Sequence, residues 1–171
     1  MIRQAQPDDE PAIRACAAAA YAPYILRIGR APAPMLADFA AQIAAGQVHV
    51  ATGAEGVAGY VVFCRDGEHV LLESVAVLPQ AAGQGIGKAL IGYCEAAARA
   101  QRARAIHLYT NEKMTENLSI YPRLGYVEAG RRVKDGFARV YFEKVLQGTT
   151  ARSGGQSPTV LLTPATIPRR M

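Results

Sequence analysis

The sequence predicts one mixed α/β (α+β) domain over residues 1–146, with a mainly antiparallel central sheet of about six to seven strands flanked by helices. Three observations carry this. Three strand-like runs between residues 47 and 79 are separated only by glycine-bearing or charged turns, as in an antiparallel meander. Helical patterns precede and follow that meander and supply the flanking layers. A chain of 171 residues, 50% of them apolar, fits one domain with a real core and is short for two.

In chain order, "IRQA" at 2–5 is a short strand. "PDDEPAIRACAAAAYA" is a helix, with Asp8 or Asp9 at its cap, Pro11 in its first turn, and Ile13, Cys16 and Ala20 on one face. "YAPYILRIGRAPAP" contains Pro23, Pro32 and Pro34, so a loop or very short helical pieces are expected there. "MLADFAAQIAAG" reads as a helix ended by Gly46. The strands "QVHVATG", "GVAGYVVFCRDG" and "EHVLLESVAVLP" follow, the last stopped by Pro79. Ile86, Leu90, Cys94 and Ala97 then mark the buried face of a further helix. "ARAIHLYT" is a strand and "MTENLSIYPRLG" a helix up to its Pro122 turn. "YVEAGRRV" and "FARVYFEKVL" form a hairpin around "KDG". From residue 147 the composition turns to glycine, serine, threonine and proline, which reads as a flexible tail; its "TVLL" can pair with a sheet edge or a neighbouring chain.

Composition excludes several functions. The net charge is +5, but Arg152, Arg169 and Arg170 of the acid-free tail supply three of those charges, so the domain gives no case for nucleic-acid binding. No apolar run spans a membrane, and the acidic N-terminus does not resemble a signal peptide, so a cytoplasmic location is expected. Cys16, Cys64 and Cys94 are odd in number and far apart, which argues against disulfides and a zinc site. His49, His69 and His107 lack metal-ligand spacing, and no metal is expected. His49 and His107 sit within alternating strands and read as half-buried residues.

The chemistry is concentrated in "VLPQAAGQGIGKALI", with Gly83, Gly85 and Gly87 between a strand and a helix. A P-loop ending in Gly87-Lys88 requires Gly at 82 and a hydroxyl at 89, where alanines stand. A dinucleotide fingerprint requires a small residue at 88 or 90, where Lys88 and Leu90 stand. What remains is a concavity of main-chain N–H groups at a helix N-terminus, suited to a pyrophosphate.

"LLESVAVLPQAAGQGIGKALI" resembles the acetyl-CoA-binding motif of the GCN5-related N-acetyltransferases (GNAT), a strand ending V-x-P followed by Gln/Arg-x-x-Gly-x-Gly/Ala. Gly85 and Gly87 match its glycines, while Ala82 stands where the family usually has Gln or Arg. "NLSIYPRLGY" resembles the family's later helix with its tyrosine. The resemblance implies a GNAT-like acyl-CoA acyltransferase fold and an N-acetyltransferase. Such an enzyme moves the acetyl group of acetyl-CoA to a primary amine of a small molecule or peptide by direct attack in a ternary complex. A non-catalytic acyl-CoA-binding module is the competing reading.

The resemblance also assigns residues. Pyrophosphate contacts fall on Ala82, Gly83, Gln84, Gly85, Ile86, Gly87 and Lys88. Val75, Ala76 and Val77 line the pantetheine arm, with Val77 N–H as the oxyanion donor. Tyr121 matches the tyrosine that donates a proton to the departing sulfur. Glu73, a carboxylate in an apolar strand, is the candidate base, acting directly or through water. Met114 stands where the family commonly has asparagine, leaving Asn117 or Asn111 as cofactor ligand, with Asn117 preferred. The acceptor is expected at "YAPYILRIGRAPAPM", where Tyr24 and Arg27 suit an amine bearing an acidic group, and at the last hairpin. Arg131, Arg132, Lys134 and Arg139 of that hairpin suit an acidic acceptor, but a solvated face is the favoured reading. Dimers are common in the family, so a homodimer is an allowed partner.

Overall fold

The computed structural model describes residues 1–146. Strands β1 (Ile2–Gln4), β2 (Val48–Gly53), β3 (Gly56–Asp66), β4 (His69–Val77), β5 (Ala105–Asn111), β6 (Val127–Lys134) and β7 (Phe137–Val145) form one sheet in the order β1-β2-β3-β4-β5-β7-β6. Only β4 and β5 run parallel. The helices are α1 (Glu10–Ile28), α2 (Phe39–Ala44), α3 (Ile86–Ala100) and α4 (Thr115–Arg123). The expected tail and its "TVLL" segment lie outside the described residues.

The sheet is covered on both faces. Ile13, Cys16 and Tyr21 of α1 and Phe39 and Ile43 of α2 pack with Val48, Val50, Tyr60 and Val62. Leu90, Ile91 and Cys94 of α3 and Tyr121 of α4 pack on the other face with Val61, Leu72, Ile106, Leu108 and Phe142. Two covered faces explain why "GYVVFC" is a continuous apolar run rather than an alternating one. The two positive-φ residues Asp135 (φ 53°) and Gly136 (φ 76°) turn the β6–β7 hairpin.

The expectation at Pro23 is corrected. The chain does not break at Pro23: α1 runs through it to Ile28 and ends on Gly29 in the left-handed region (φ 87°), whose N–H donates to Ile25 O at 2.8 Å. An interior proline removes one helical hydrogen bond and costs about 3 kcal/mol. The second half of α1 is held by tertiary contacts that local propensity does not contain. Tyr21 is buried and donates its hydroxyl to Val75 O at 2.9 Å, and Arg27 pairs with Glu116 of α4 at 2.9 Å.

Asp9 does not cap α1 with its side chain. It caps the preceding 3₁₀ turn (Pro7–Asp9), accepting from Gln6 N–H at 2.8 Å and from Arg3 at 2.7 and 3.0 Å.

Two features of β3 and β4 position the site. The register between them slips next to Val62, so that Val62 pairs with Ser74 while Phe63 pairs with Leu72, and Glu73 is the extra, bulged residue. Leu72, Val75 and Val77 all pack in the α3–α4 cluster although their spacing is odd then even. The bulge makes that switch and keeps Glu73 off the apolar face.

At Gly59 an added Cβ would lie 2.7 Å from Ala76 O of β4, and 3.2 Å from Leu90 and 3.3 Å from Ile86 of α3, so only glycine lets β4 and α3 sit this close to β3. Gly59→Ala is expected to destabilise the fold by about 1–3 kcal/mol, checked by urea denaturation.

Candidate active site

The parallel pairing of β4 and β5 covers only His69–Leu72 against Ala105–Leu108, yet β4 continues to Val77 and β5 to Asn111. The strands therefore splay. The side of β4 facing the gap follows from alternation: Leu78 N–H donates to Ala58 O on the β3 side at 2.8 Å, so Ala76 also turns to β3 while Val75 and Val77 turn to the gap. The Val75 carbonyl there is taken by Tyr21. Parallel strands normally exchange main-chain hydrogen bonds along their length, so the splay leaves Val77 N–H beside an opening.

Beyond β4 the chain makes a 3₁₀ turn (Pro79–Ala81) and enters α3. Ala82 N–H turns back onto Pro79 O at 3.2 Å and is already used. Gly83 (φ 80°) and Gly85 (φ 79°) are left-handed, and Gly85 is the N-cap of α3, its carbonyl receiving Ala89 N–H at 3.0 Å. The N–H groups of residues 83–88 have no hydrogen-bond partner among the described residues. A Cβ built on Gly83 or Gly85 meets nothing within 4 Å, so the space above these amides is open. Six uncommitted N–H groups and the positive end of a helix suit a diphosphate. By contrast, the Gly87 Cβ would touch only Val77 at 3.6 Å in ordinary contact. Gly87→Ala is accordingly expected to be neutral or to raise stability by up to about 1 kcal/mol, checked by thermal melting.

A cavity of about 130 Å³ opens between the splayed ends. Glu73, Val75, Asn117 and Tyr121 from the sequence reading all line it. Glu73 Oε2 accepts from Gln42 Nε2 of α2 at 2.8 Å, and Oε1 is uncommitted among the described residues. Tyr121 is 6% exposed, its ring set edge-on against Tyr126 and tilted on Phe142, each 5.7 Å away. Burial raises its phenol pKa well above the ordinary range, so it stays protonated, and its hydroxyl makes no hydrogen bond among the described residues. Such a group can donate a proton.

Asn117 donates to Thr110 Oγ1 at 3.1 Å and contacts Met114 Sδ at 3.7 Å. Asn111 also lines the cavity, and its Oδ1 accepts Lys113 N–H at 3.0 Å in a turn.

Tyr24 and Arg27 do not line the cavity. Both bind Glu116, Tyr24 at 3.2 Å and Arg27 at 2.9 and 3.0 Å, and they tie α1 to α4 on the exterior. The hairpin reading is also corrected at one position: Arg139 is buried, lines the cavity and lies over the Tyr109 ring at 4.2 Å. Gln42 was missed altogether, since a glutamine on a short helix gives no sequence signal. The histidines stand apart from the cavity. His49 stacks on Phe63 at 4.9 Å and His107 on His69 at 4.2 Å, and burial lowers the pKa of both His49 and His107.

The fold and site thus combine a seven-stranded mixed sheet, one splayed parallel pair and an open amide cradle at the end of the splayed strand. Residues 44–128 match the family model described as "Acetyltransferase (GNAT) domain". The chain belongs to this family of acyltransferases, whose members carry out acetyl-CoA-dependent acetylation.

Among solved structures, the PaiA N-acetyltransferase of Thermoplasma acidophilum in complex with coenzyme A is similar, with TM-score 0.72 and 16% identity over 85% of this chain and 98% of that one. The ribosomal-protein-S18-alanine N-acetyltransferase of Escherichia coli matches with TM-score 0.69 and 18% identity over 92% and 98%. Nourseothricin acetyltransferase is 26% identical with TM-score 0.54, over 58% of this chain and only 65% of its own length. No curated protein sequence gives a significant match. Among the described residues no helix is long and apolar enough to cross a membrane, and no three His, Cys, Asp or Glu side chains gather as metal ligands.

Proposed function

We propose that the protein transfers the acetyl group of acetyl-CoA to a primary amine of a small molecule, by direct attack while both are bound. The observation that supports it most is the β4–β5 splay, which opens a cavity with Glu73 and Tyr121 in its wall beside the strand that leads into the glycine loop. Acetyl-CoA supplies an acyl group on a leaving thiolate. Gly83, Gln84, Gly85, Ile86, Gly87 and Lys88 would hold its diphosphate, Val75 and Val77 its arm, and Asn117 Oδ1 is a further polar contact. Ala82 contributes shape rather than its N–H, which Pro79 occupies.

An alkylammonium has a pKa of ~10.4 and must lose a proton before it can attack. Glu73 Oε1 takes that proton, directly or through a water, as the C–N bond forms. Val77 N–H faces the carbonyl oxygen as negative charge collects on it. Tyr121 gives its proton to sulfur as the C–S bond breaks, leaving a neutral thiol, and the phenolate it leaves is reprotonated from solvent.

Incubating the full chain with acetyl-CoA and a panel of primary amines, with thiol release as the readout, tests the reading. Tight acetyl-CoA binding without thiol release for any amine would assign the non-catalytic binding module instead. Glu73→Gln keeps the volume and a partner for Gln42. It is expected to lower kcat/KM about tenfold or more near neutral pH, with the deficit shrinking as pH rises and the amine deprotonates by itself. A deficit that does not depend on pH would remove Glu73 as the base.

A further inference from the structure

Resting on the acetyl-transfer reading, we propose that Arg139 recognises a carboxylate on the acceptor, so that the substrates are small amines bearing an acidic group. In β7 the side chains alternate: Val140 and Phe142 fill the α3–α4 cluster, and Arg139 emerges on the α1–α2 face into the cavity. It is 8% exposed, yet among the described residues it makes neither an ion pair nor a side-chain hydrogen bond. Its neighbours hold it by its flat face, Tyr109 at 4.2 Å and Phe137 at 5.9 Å, which leaves the N–H edge of the guanidinium uncommitted. Glu73, the one acid in the cavity wall among the described residues, makes no ion pair with Arg139 and bonds Gln42 through a single oxygen. A buried cation without a counter-ion is costly in a structural role. The cost is recovered when an anion completes it, and a guanidinium edge matches the two oxygens of a carboxylate.

The amine end is provided for as well. Gln42 Oε1 is buried without a partner, and with the free oxygen of Glu73 it offers two acceptors to an ammonium. The cavity thus carries acceptors for a cation and donors for an anion.

The test uses the full chain, acetyl-CoA, and three matched probe series: straight-chain ω-amino acids, their carboxamides, and the alkylamines lacking the acid. The wild type is expected to favour the acids over the amides by about a hundredfold in kcat/KM, and Arg139→Met to collapse that ratio to within about threefold of unity. Arg139→Lys restores part of it, since an ammonium keeps the charge and loses the fork. A wild-type ratio near unity, or one that Arg139→Met leaves in place, overturns the proposal while acetyl transfer stands.

If no amine in any series reacts, the melting temperature is read with coenzyme A plus the N-acetylated acid or its amide. Stabilisation by the acid alone, lost in Arg139→Met, upholds the anion site although the acetyl-transfer reading falls; equal or no stabilisation overturns it. Should the methionine variant not fold, Arg139→Lys decides. A fall of about tenfold or more in the acid-to-amide ratio upholds the proposal, and an unmoved ratio overturns it.

Discussion

Tyr121→Phe is expected to lower kcat about a thousandfold while the affinity for acetyl-CoA stays within about twofold of the wild type. The phenol lines the cavity and donates to no protein atom among the described residues, so its removal orphans no buried partner. The ring, which packs on Tyr126 and Phe142, is unchanged by the substitution. Stability should therefore be nearly unaffected, and a loss of rate is attributable to the proton.

The pH dependence carries a sign. Burial raises the phenol pKa above its ordinary value, so the protonated, donating form persists through neutral pH and well into the alkaline range. Deprotonation of Tyr121 then does not set the alkaline limb of the wild-type profile. The variant's profile should be displaced downward with its shape preserved. Steady-state thiol release across pH, with calorimetry for acetyl-CoA, measures both; turnover at the wild-type rate would remove the tyrosine from the chemistry.

Gly85→Val is expected to weaken acetyl-CoA binding by about a hundredfold or more, since two or more charge-assisted hydrogen bonds at about 1.5–3 kcal/mol each are lost or misaligned. The space above Gly85 is open, so its side chain would project where the diphosphate is placed by the reading above. A branched residue at φ 79° is also strained, which adds a stability loss of about 1–2 kcal/mol. Gly85→Asn separates the two effects, because asparagine tolerates the left-handed region yet still intrudes on the cradle. Titration calorimetry of both variants, with circular dichroism to check folding, is the measurement. Wild-type affinity in both would place the cofactor elsewhere.

The site was unevenly legible in the sequence. The glycine loop could be read because its geometry is local: three glycines within a few residues of a helix start carry their own conformation. Tyr121 and Glu73 stood out through motif and contrast, one by its place in "NLSIYPRLGY" and the other as a carboxylate in an apolar strand. The bulge that turns Glu73 into the cavity could not be read, because it is a mismatch between two strands and belongs to neither alone. Arg139 could not be told apart from its neighbours for a related reason. Beside Arg131, Arg132 and Lys134 it looks like one more charge of a solvated hairpin, and only the pairing of β7 with β5 carries it inside. Tyr24 and Arg27 are an aromatic and basic pair whose partner, Glu116, lies far along the chain and could not be read from their neighbours.

The sequence by itself determined the order and type of nearly all the elements, the mixed sheet and the glycine turn into α3, since periodicity, turn residues and glycine placement act over a few positions. The tertiary structure alone decided that α1 survives Pro23, where β4 and β5 part, and which polar side chains meet in the gap. Those outcomes depend on contacts between residues distant in the chain, such as Tyr21 with Val75 and Gln42 with Glu73, whose energies outweigh local preference and leave no mark on the neighbouring residues.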